Sequence, residues 1–236
     1  MNGAGVSLLG VVAALEAEAR TLGAAVRRHD GLASLGDGAL LAVSGMGGAP
    51  AAAAANRLVN AGASALMSFG LAGGLDPSLG AGTVVLPSEV ISRDGARFST
   101  SAEWRGRLSL AVAEMKPVAS SALLTSVQPI DTALAKAAAF RETGAVAVDM
   151  ESVGVAEVAA AHHLPFMAVR VVVDGAADAL PGAVVAASRG GHFRVLPLVC
   201  GLAVAPRDLV GLFRLARRYR AATRSLSAVA RGGHIV

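Results

Sequence analysis

The chain has a single cysteine, Cys200, among 236 residues. One thiol excludes an internal disulfide and any zinc site built on paired cysteines. Cys200 lies in the apolar run 195–205 and reads as a packed thiol rather than a nucleophile. Aromatics are also scarce, with one Trp and one Tyr, so there is no basic groove interleaved with stacking rings and no nucleic-acid partner is expected. Val195–Ala205 is the longest apolar run and falls short of the roughly 18 residues of a spanning helix. The N-terminus has no basic residue ahead of its apolar stretch, and Glu16 and Glu18 follow soon after. These features predict no secretory leader and a cytoplasmic chain. A G-x-G-x-x-G run with a ribose-binding acid downstream is missing too, which excludes a dinucleotide fold. No metal site and no cofactor are expected.

Acids all but vanish after residue 188. Residues 1–188 hold 12 Lys and Arg against 16 Asp and Glu, a net of −4, while residues 189–236 hold nine Arg against Asp208 alone, a net of +8. The sequence pI near 10.2 therefore describes the tail and not the body. Such asymmetry points to an anionic surface, membrane or nucleic acid, and the poverty in aromatics leaves the membrane. What is abundant is Ala, Val and Leu: 54% of the chain is hydrophobic, enough to bury the core of one domain over 1–236.

Strand and helix patterns alternate along the chain. Ser7–Leu15 predicts a strand and Glu16–Ala25 a helix with acids in its first turn. Gly31–Gly38 reads as turns, Ala39–Val43 as a strand, and Pro50–Ala61 as a helix. Ala65–Phe69, Thr83–Leu86 and Ala122–Val127 read as strands, Trp104–Lys116 and Asp131–Thr143 as helices, and Arg93–Glu103 as a surface loop. Ala145–Asp149, Glu151–His163 and Phe166–Val173 predict strand, helix and strand, a βαβ unit of near-fixed hand. The alternation implies an α/β three-layer sandwich around a mixed, mostly parallel sheet.

Ligands in such folds bind beyond the carboxyl ends of the strands, where Asp149, Met150, Glu151 and Asp174 fall. Glu151, in a first helical turn, would be ionised by the helix dipole. An ionised carboxylate only accepts hydrogen bonds, as a ribose diol requires. Asp174 ends an apolar strand broken by one charge, Arg170, and an apolar setting suits a general acid. The competing readings are a helix cap for Glu151 and a turn for Asp174. Glu18, just past a strand end, reads either as a base or as a surface glutamate complementing a helix dipole. Two glycine loops, Ser44-Gly45-Met46-Gly47-Gly48 and Gly70-Leu71-Ala72-Gly73-Gly74, let the backbone approach an anion or a sugar oxygen.

Four blocks in order, VVAALEAEAR, SGMGG, SFGLAGGL and VDMES with an R-x-x-x-D strand end, resemble the superfamily of purine nucleoside phosphorylases and methylthioadenosine/S-adenosylhomocysteine nucleosidases. The likeness spans about residues 8–178. DGAADALPG and the basic tail are similar to the hopanoid-associated phosphorylase branch, which implies adenosylhopane as substrate and adenine as product. The resemblance implies Asp174 as the acid that protonates the leaving purine, Glu18 as the base that activates water, and Glu151 with Met150 at the ribose. It implies Ala72, Gly73, Pro129, Ile130 and Asp174 at the nucleobase. Ser44, Gly45, Met46 and Arg170 would form the pocket for water or phosphate, with Arg170 orienting Glu18 or Glu151 or making a structural ion pair. It also implies a homodimer.

The chain departs from the family pattern at several points. There is no Arg in 44–56 or 66–75 to bind phosphate, Leu71 stands where a hydroxyl is usual, and Pro129 replaces a stacking aromatic. Hydrolysis is therefore expected over phosphorolysis, inorganic phosphate remaining a conceivable co-substrate. The alternatives are a methylthioadenosine/S-adenosylhomocysteine nucleosidase, a general purine nucleoside phosphorylase, and a non-catalytic nucleoside or membrane-surface binder. Residues 206–230 predict a helix with Leu209, Leu212, Phe213, Leu215, Ala216 and Tyr219 on one face and Arg207, Arg214, Arg217, Arg218 and Arg224 on the other. That is the pattern of an interfacial membrane helix or of a packed helix with a solvated arginine face.

Overall fold

The computed structural model describes residues 8–23, 28–29, 31–179 and 208–233, with main chain alone at 28–29 and 208–215. Cys200 and the run 195–205 lie outside the described residues.

The chain opens with β1 (Leu9–Ala13), whose buried residues Val11, Val12 and Ala13 run through the middle of the sheet. The short α1 (Glu16–Ala19) and a 3₁₀ turn (Arg20–Leu22) follow, ended at Gly23. β2 (Arg28–His29), β3 (Leu32–Ser34) and β4 (Ala39–Val43) form an antiparallel meander that joins β1 through β4. The turn-rich stretch 31–38 thus holds its turns at either end of β3. β3 is too short for alternation to show in sequence, and Gly31 and Gly36, both at φ +77°, make the turns at its ends.

α2 (Gly48–Asn60) starts two residues earlier than the sequence suggests and buries an alanine face, Ala51, Ala54 and Ala55, with Leu58. β5 (Ala65–Gly74) is the longest strand. β6 (Val84–Val85) and β7 (Glu89–Ile91) come next. The loop expected at 93–103 is instead the second half of a hairpin. β8 (Arg97–Ser99) pairs with β7 across a turn in which Gly95 takes φ +90°, and Phe98 packs into the core. α3 (Ala102–Ala111), β9 (Ala122–Thr125), α4 (Ala133–Thr143), β10 (Ala145–Asp149), α5 (Ser152–Ala161), β11 (Phe166–Asp174) and α6 (Asp208–Gly232) complete the order.

Among the described residues one 11-stranded sheet runs β2-β3-β4-β1-β5-β10-β9-β7-β8, with β11 attached at β5 and β6 attached at β11. β5 pairs parallel with β1 at Ala65–Ser68 and with β11 from Leu66 to Gly73; its glycine end then pairs antiparallel with β10. β10 and β11 are therefore not neighbours, and the expected parallel βαβ crossover does not form. The reason lies in β5, whose Gly73 and Gly74 let its last residues leave the company of β1 and accept β10. Apolar clusters fill both faces. One joins β1, β5 and β11 to α6 through Ala222, Leu226, Val229 and Ala230; the other lies under α2 and α5. This is the three-layer α/β arrangement the sequence implies.

Candidate active site

Three carboxylates gather around the ends of β1, β5, β10 and β11. Glu18 is placed by α1, whose first turn folds back over the end of β1. Its Oε2 accepts from the main-chain N–H of Ala14 (3.0 Å) and Leu15 (2.9 Å), and its Oε1 from that of Leu71 (2.8 Å). The approach to Leu71 requires a bare backbone at Gly70, where a Cβ would lie 2.6 Å from Oε1. Burial raises the Glu18 carboxyl above its ordinary value, while these donors and the nearby Arg170 pull against it. A buried carboxylate kept basic in this way suits proton abstraction from water.

The first glycine loop is zipped to the same strand end. Ser44 N–H donates to Ala13 O (2.9 Å) and Gly45 N–H to Ala14 O (3.0 Å), while the Ser44 hydroxyl donates to Gly45 O (2.6 Å). Gly45 and Gly47 take φ +84° and +105°, conformations open to glycine. Met46 lies between them. Gly47 N–H then donates to Glu151 Oε1 (3.0 Å), and Met150 N–H to Glu151 Oε2 (3.3 Å). Glu151 stands at the residue before α5, not within its first turn. The expected dipole-driven ionisation is overturned. Burial and then the charge of Asp149 push its carboxyl up to about 7, against Arg170 and the Gly47 donor.

Of the two readings of Arg170, the structural ion pair is the one present, made with Asp149. Its guanidinium is 2% exposed. It donates from Nε to Asp149 (2.8 Å), from Nη1 to Val169 O (3.0 Å), and from Nη2 to the hydroxyls of Ser68 (2.6 Å) and Ser152 (3.0 Å). Asp149 accepts in addition from the Thr125 hydroxyl at 2.6 Å. With its donors so engaged, Arg170 braces β11, β10, β5 and α5. It makes no hydrogen bond to Glu18 or Glu151 and reaches them by charge alone.

Asp174 ends β11 at a register shift that sets it opposite Gly73. A Cβ on Gly73 would lie 3.5 and 3.6 Å from its two oxygens, so the carboxylate lies over a residue with no side chain. Burial raises the Asp174 carboxyl, opposed chiefly by Lys136. The ammonium of Lys136, from α4, contacts Asp174 Oδ2. Sequence reasoning missed this lysine. The available signal was a lone Lys inside an alanine-rich helix, on the same face as buried Ala139. Ala72 is buried beside Val172, and Ile130 packs against the apolar cluster that includes Leu124, Ala139 and Val148. Pro129 and Met150 are half-buried. The Ser126 hydroxyl donates to Gln128 O at 2.7 Å and shapes the segment that carries Pro129.

The family model of the phosphorylase superfamily matches residues 10–189, which contain all of these groups. The chain belongs to the phosphorylase superfamily. As a phosphorylase-superfamily chain it shares its fold with solved nucleosidases. The 5′-methylthioadenosine/S-adenosylhomocysteine nucleosidase of Neisseria meningitidis, in complex with methylthio-immucillin-A, superposes with a TM-score of 0.67 at 20% identity, over 95% of this chain and 97% of that one. The corresponding nucleosidase of Colwellia psychrerythraea, with adenine, gives 0.64 at 21% identity over 73% and 84%. Futalosine hydrolase of Helicobacter pylori gives 0.63 at 18% identity over 72% and 88%. A search of curated proteins gives no match.

Proposed function

We propose that the chain hydrolyses the N-ribosidic bond of an adenine nucleoside. The observation that carries this reading is the pair of buried carboxylates set against one strand end, that of β5, with Glu18 on the Leu71 N–H and Asp174 over Gly73, and Glu151 near enough to Glu18 to feel its charge. Asp174 protonates the departing purine as positive charge builds on the ribose. Glu151, with Met150 beside it, accepts from a ribose hydroxyl and faces that charge. Glu18 takes a proton from the attacking water. An acid and a base flanking a glycosidic bond is the arrangement such chemistry needs. Ala72, Gly73, Pro129 and Ile130 bound the base. Ser44, Gly45 and Met46 border the water. Nucleosidases among the structural relatives, one holding adenine, support the same reading.

Hydrolysis is favoured over phosphorolysis because phosphate binding calls for cations, and Arg170 is engaged within the protein. Measuring adenine release with and without phosphate tests this. Full release without phosphate is expected; strict phosphate dependence with a sugar 1-phosphate product would establish phosphorolysis instead.

The substrate we favour is adenosine linked to a hopane, on the sequence's likeness to the hopanoid-associated branch and on the surface of α6. Arg217, Arg220, Arg224 and Arg231 are all exposed and fall within about 60° of one another at 100° per residue, a solvent-facing arginine stripe suited to anionic lipid. Arg218 departs from the expected stripe and pairs with Asp178 at 2.6 Å. Ala216 is exposed, while Leu209, Leu212, Phe213, Arg214 and Leu215 have side chains outside the described residues, as does Arg207 entirely. Adenine release from lipid-linked adenosine should exceed that from methylthioadenosine and S-adenosylhomocysteine; the reverse order would assign the small thionucleosides. We also propose a homodimer, since Val127 and Leu134 are large exposed apolar residues flanking the Pro129–Ile130 segment. Sedimentation at micromolar concentration should give the dimer mass, and a monomer would refute it.

A further inference from the structure

Lys136 has no exposed surface. A lysine held away from water must find partners for its charge, and this one finds three acceptors. Nζ donates to Asp174 Oδ2, to Gly175 O at 2.9 Å and to Asp178 O at 3.0 Å. Three acceptors match the three N–H groups of an ammonium; a neutral amine has two. The ammonium therefore has no donor to spare for a substrate, and whatever it does at the site it does through Asp174.

The contact has a chemical consequence. A lysine ammonium only donates, so the oxygen it holds, Oδ2, is the one that cannot carry the proton of an aspartic acid. The acidic proton is confined to Oδ1. When that proton passes to the purine, the C–N bond breaks with its electron pair going to the base. The carboxylate left behind is buried and meets a cation already in contact. Solvent restores the proton once the purine has left. The same ammonium fixes the turn after β11, where Gly175 N–H donates to Asp178 Oδ2 (2.8 Å) and Asp178 pairs with Arg218 of α6 (2.6 Å).

We propose that Lys136 is the positioning residue of the leaving-group acid, holding Asp174 by one oxygen, placing its proton on the other, and balancing the charge left after proton transfer. This rests on the proposed N-ribosidic cleavage. The charged groups facing Asp174 are Lys136 from α4, Asp178 from the turn and Arg218 from α6. Removing Lys136 leaves the last two, whose effects oppose each other. The Asp174 carboxyl should then titrate higher, by roughly 1–3 pH units for the loss of an adjacent opposite charge.

The experiment uses the full chain, Lys136→Met and Lys136→Arg, with methylthioadenosine as probe. Lys136→Met should lower kcat at least about tenfold with a smaller change in KM. It should also move the alkaline limb of the pH–rate profile upward, because the acid form persists to higher pH. Lys136→Arg should restore the limb. An unmoved limb would overturn the proposal. The ¹³C carboxyl titration of Asp174, assigned with Asp174→Asn, reads the same pair without turnover. An upward move in Lys136→Met, from a protein that releases no adenine, would uphold the pair and sink the proposed reaction. Should Lys136→Met fail to fold, the wild-type ¹⁵Nζ shift decides: an ammonium at pH 7 agrees with the proposal, and a neutral amine refutes it.

Discussion

At the scale of single residues the site combines groups whose ionisation is set by burial. Glu151 is the clearest case, raised from its ordinary 4.5 to about 7. A carboxyl raised on folding binds more protons in the native state between those values, so it stabilises the fold below about pH 4.5 and that stability is lost as pH rises through 7. Glu151→Gln should therefore stabilise the protein at pH 8 by on the order of 1–3 kcal/mol and much less at pH 4.5, read from denaturation midpoints at the two values. The same change should flatten the acid limb of the activity profile, because the ionised form is the one that accepts from ribose. The placement of Asp174, Glu18 and Glu151 beside strand ends was legible in the sequence, since each follows or closes an apolar strand run. Lys136 was not. A lysine among alanines in α4 reads as solvated until the fold turns that face onto the end of β11. The choice between the two readings of Arg170 stayed open in the sequence for the same reason: its partners Ser68, Asp149 and Ser152 are brought together by pairing across the sheet, which local pattern does not carry.

At the scale of elements the glycine end of β5 organises the site. Long apolar strands and periodic helices were readable, because buried strands and alanine faces leave a clear pattern. The short strands β3 and β8 were not, since three residues hold no alternation. Nor was the change of partner from β1 to β10 along β5, which depends on missing side chains and not on any that are present. The absent Cβ at Gly70 is what admits Glu18 to the Leu71 N–H. Gly70→Ala should displace the Glu18 carboxylate and lower kcat by about 10²–10⁴-fold, the range for loss of a general base. Binding of adenine should persist, since Asp174 and Gly73 are untouched. Calorimetric titration with adenine beside steady-state rates checks the split; parallel losses in both would mean that β5 itself has been disturbed.

At the scale of the whole molecule, α6 belongs to the body as well as to the surface. Ala222, Leu226, Val229 and Ala230 are buried against β1, β5 and β11, so α6 closes one face of the sandwich while Arg217, Arg220, Arg224 and Arg231 meet solvent. Leu226→Ala should cost about 2–5 kcal/mol of stability, as other buried leucines do, measured by urea denaturation. Deleting the tail would remove core, and neutralising the exposed stripe is the informative change. Arg217, Arg220 and Arg224 replaced by Gln should leave the midpoint of unfolding nearly unmoved and abolish salt-sensitive co-sedimentation with anionic vesicles; retained binding would dissociate the stripe from any membrane role. On the opposite face the first residue of α2 and Gly154 of α5 touch backbone to backbone, for a Cβ on Gly154 would sit 2.1 Å from the carbonyl oxygen of Gly48. At that contact the two helices have no rotamer to adjust and no cushion to compress. They should open to solvent together, as one cooperative unit. Amide hydrogen exchange should show the interior turns of both helices decaying at a common rate, and Gly154→Ala should hasten exchange in α2 as much as in the helix that carries the change.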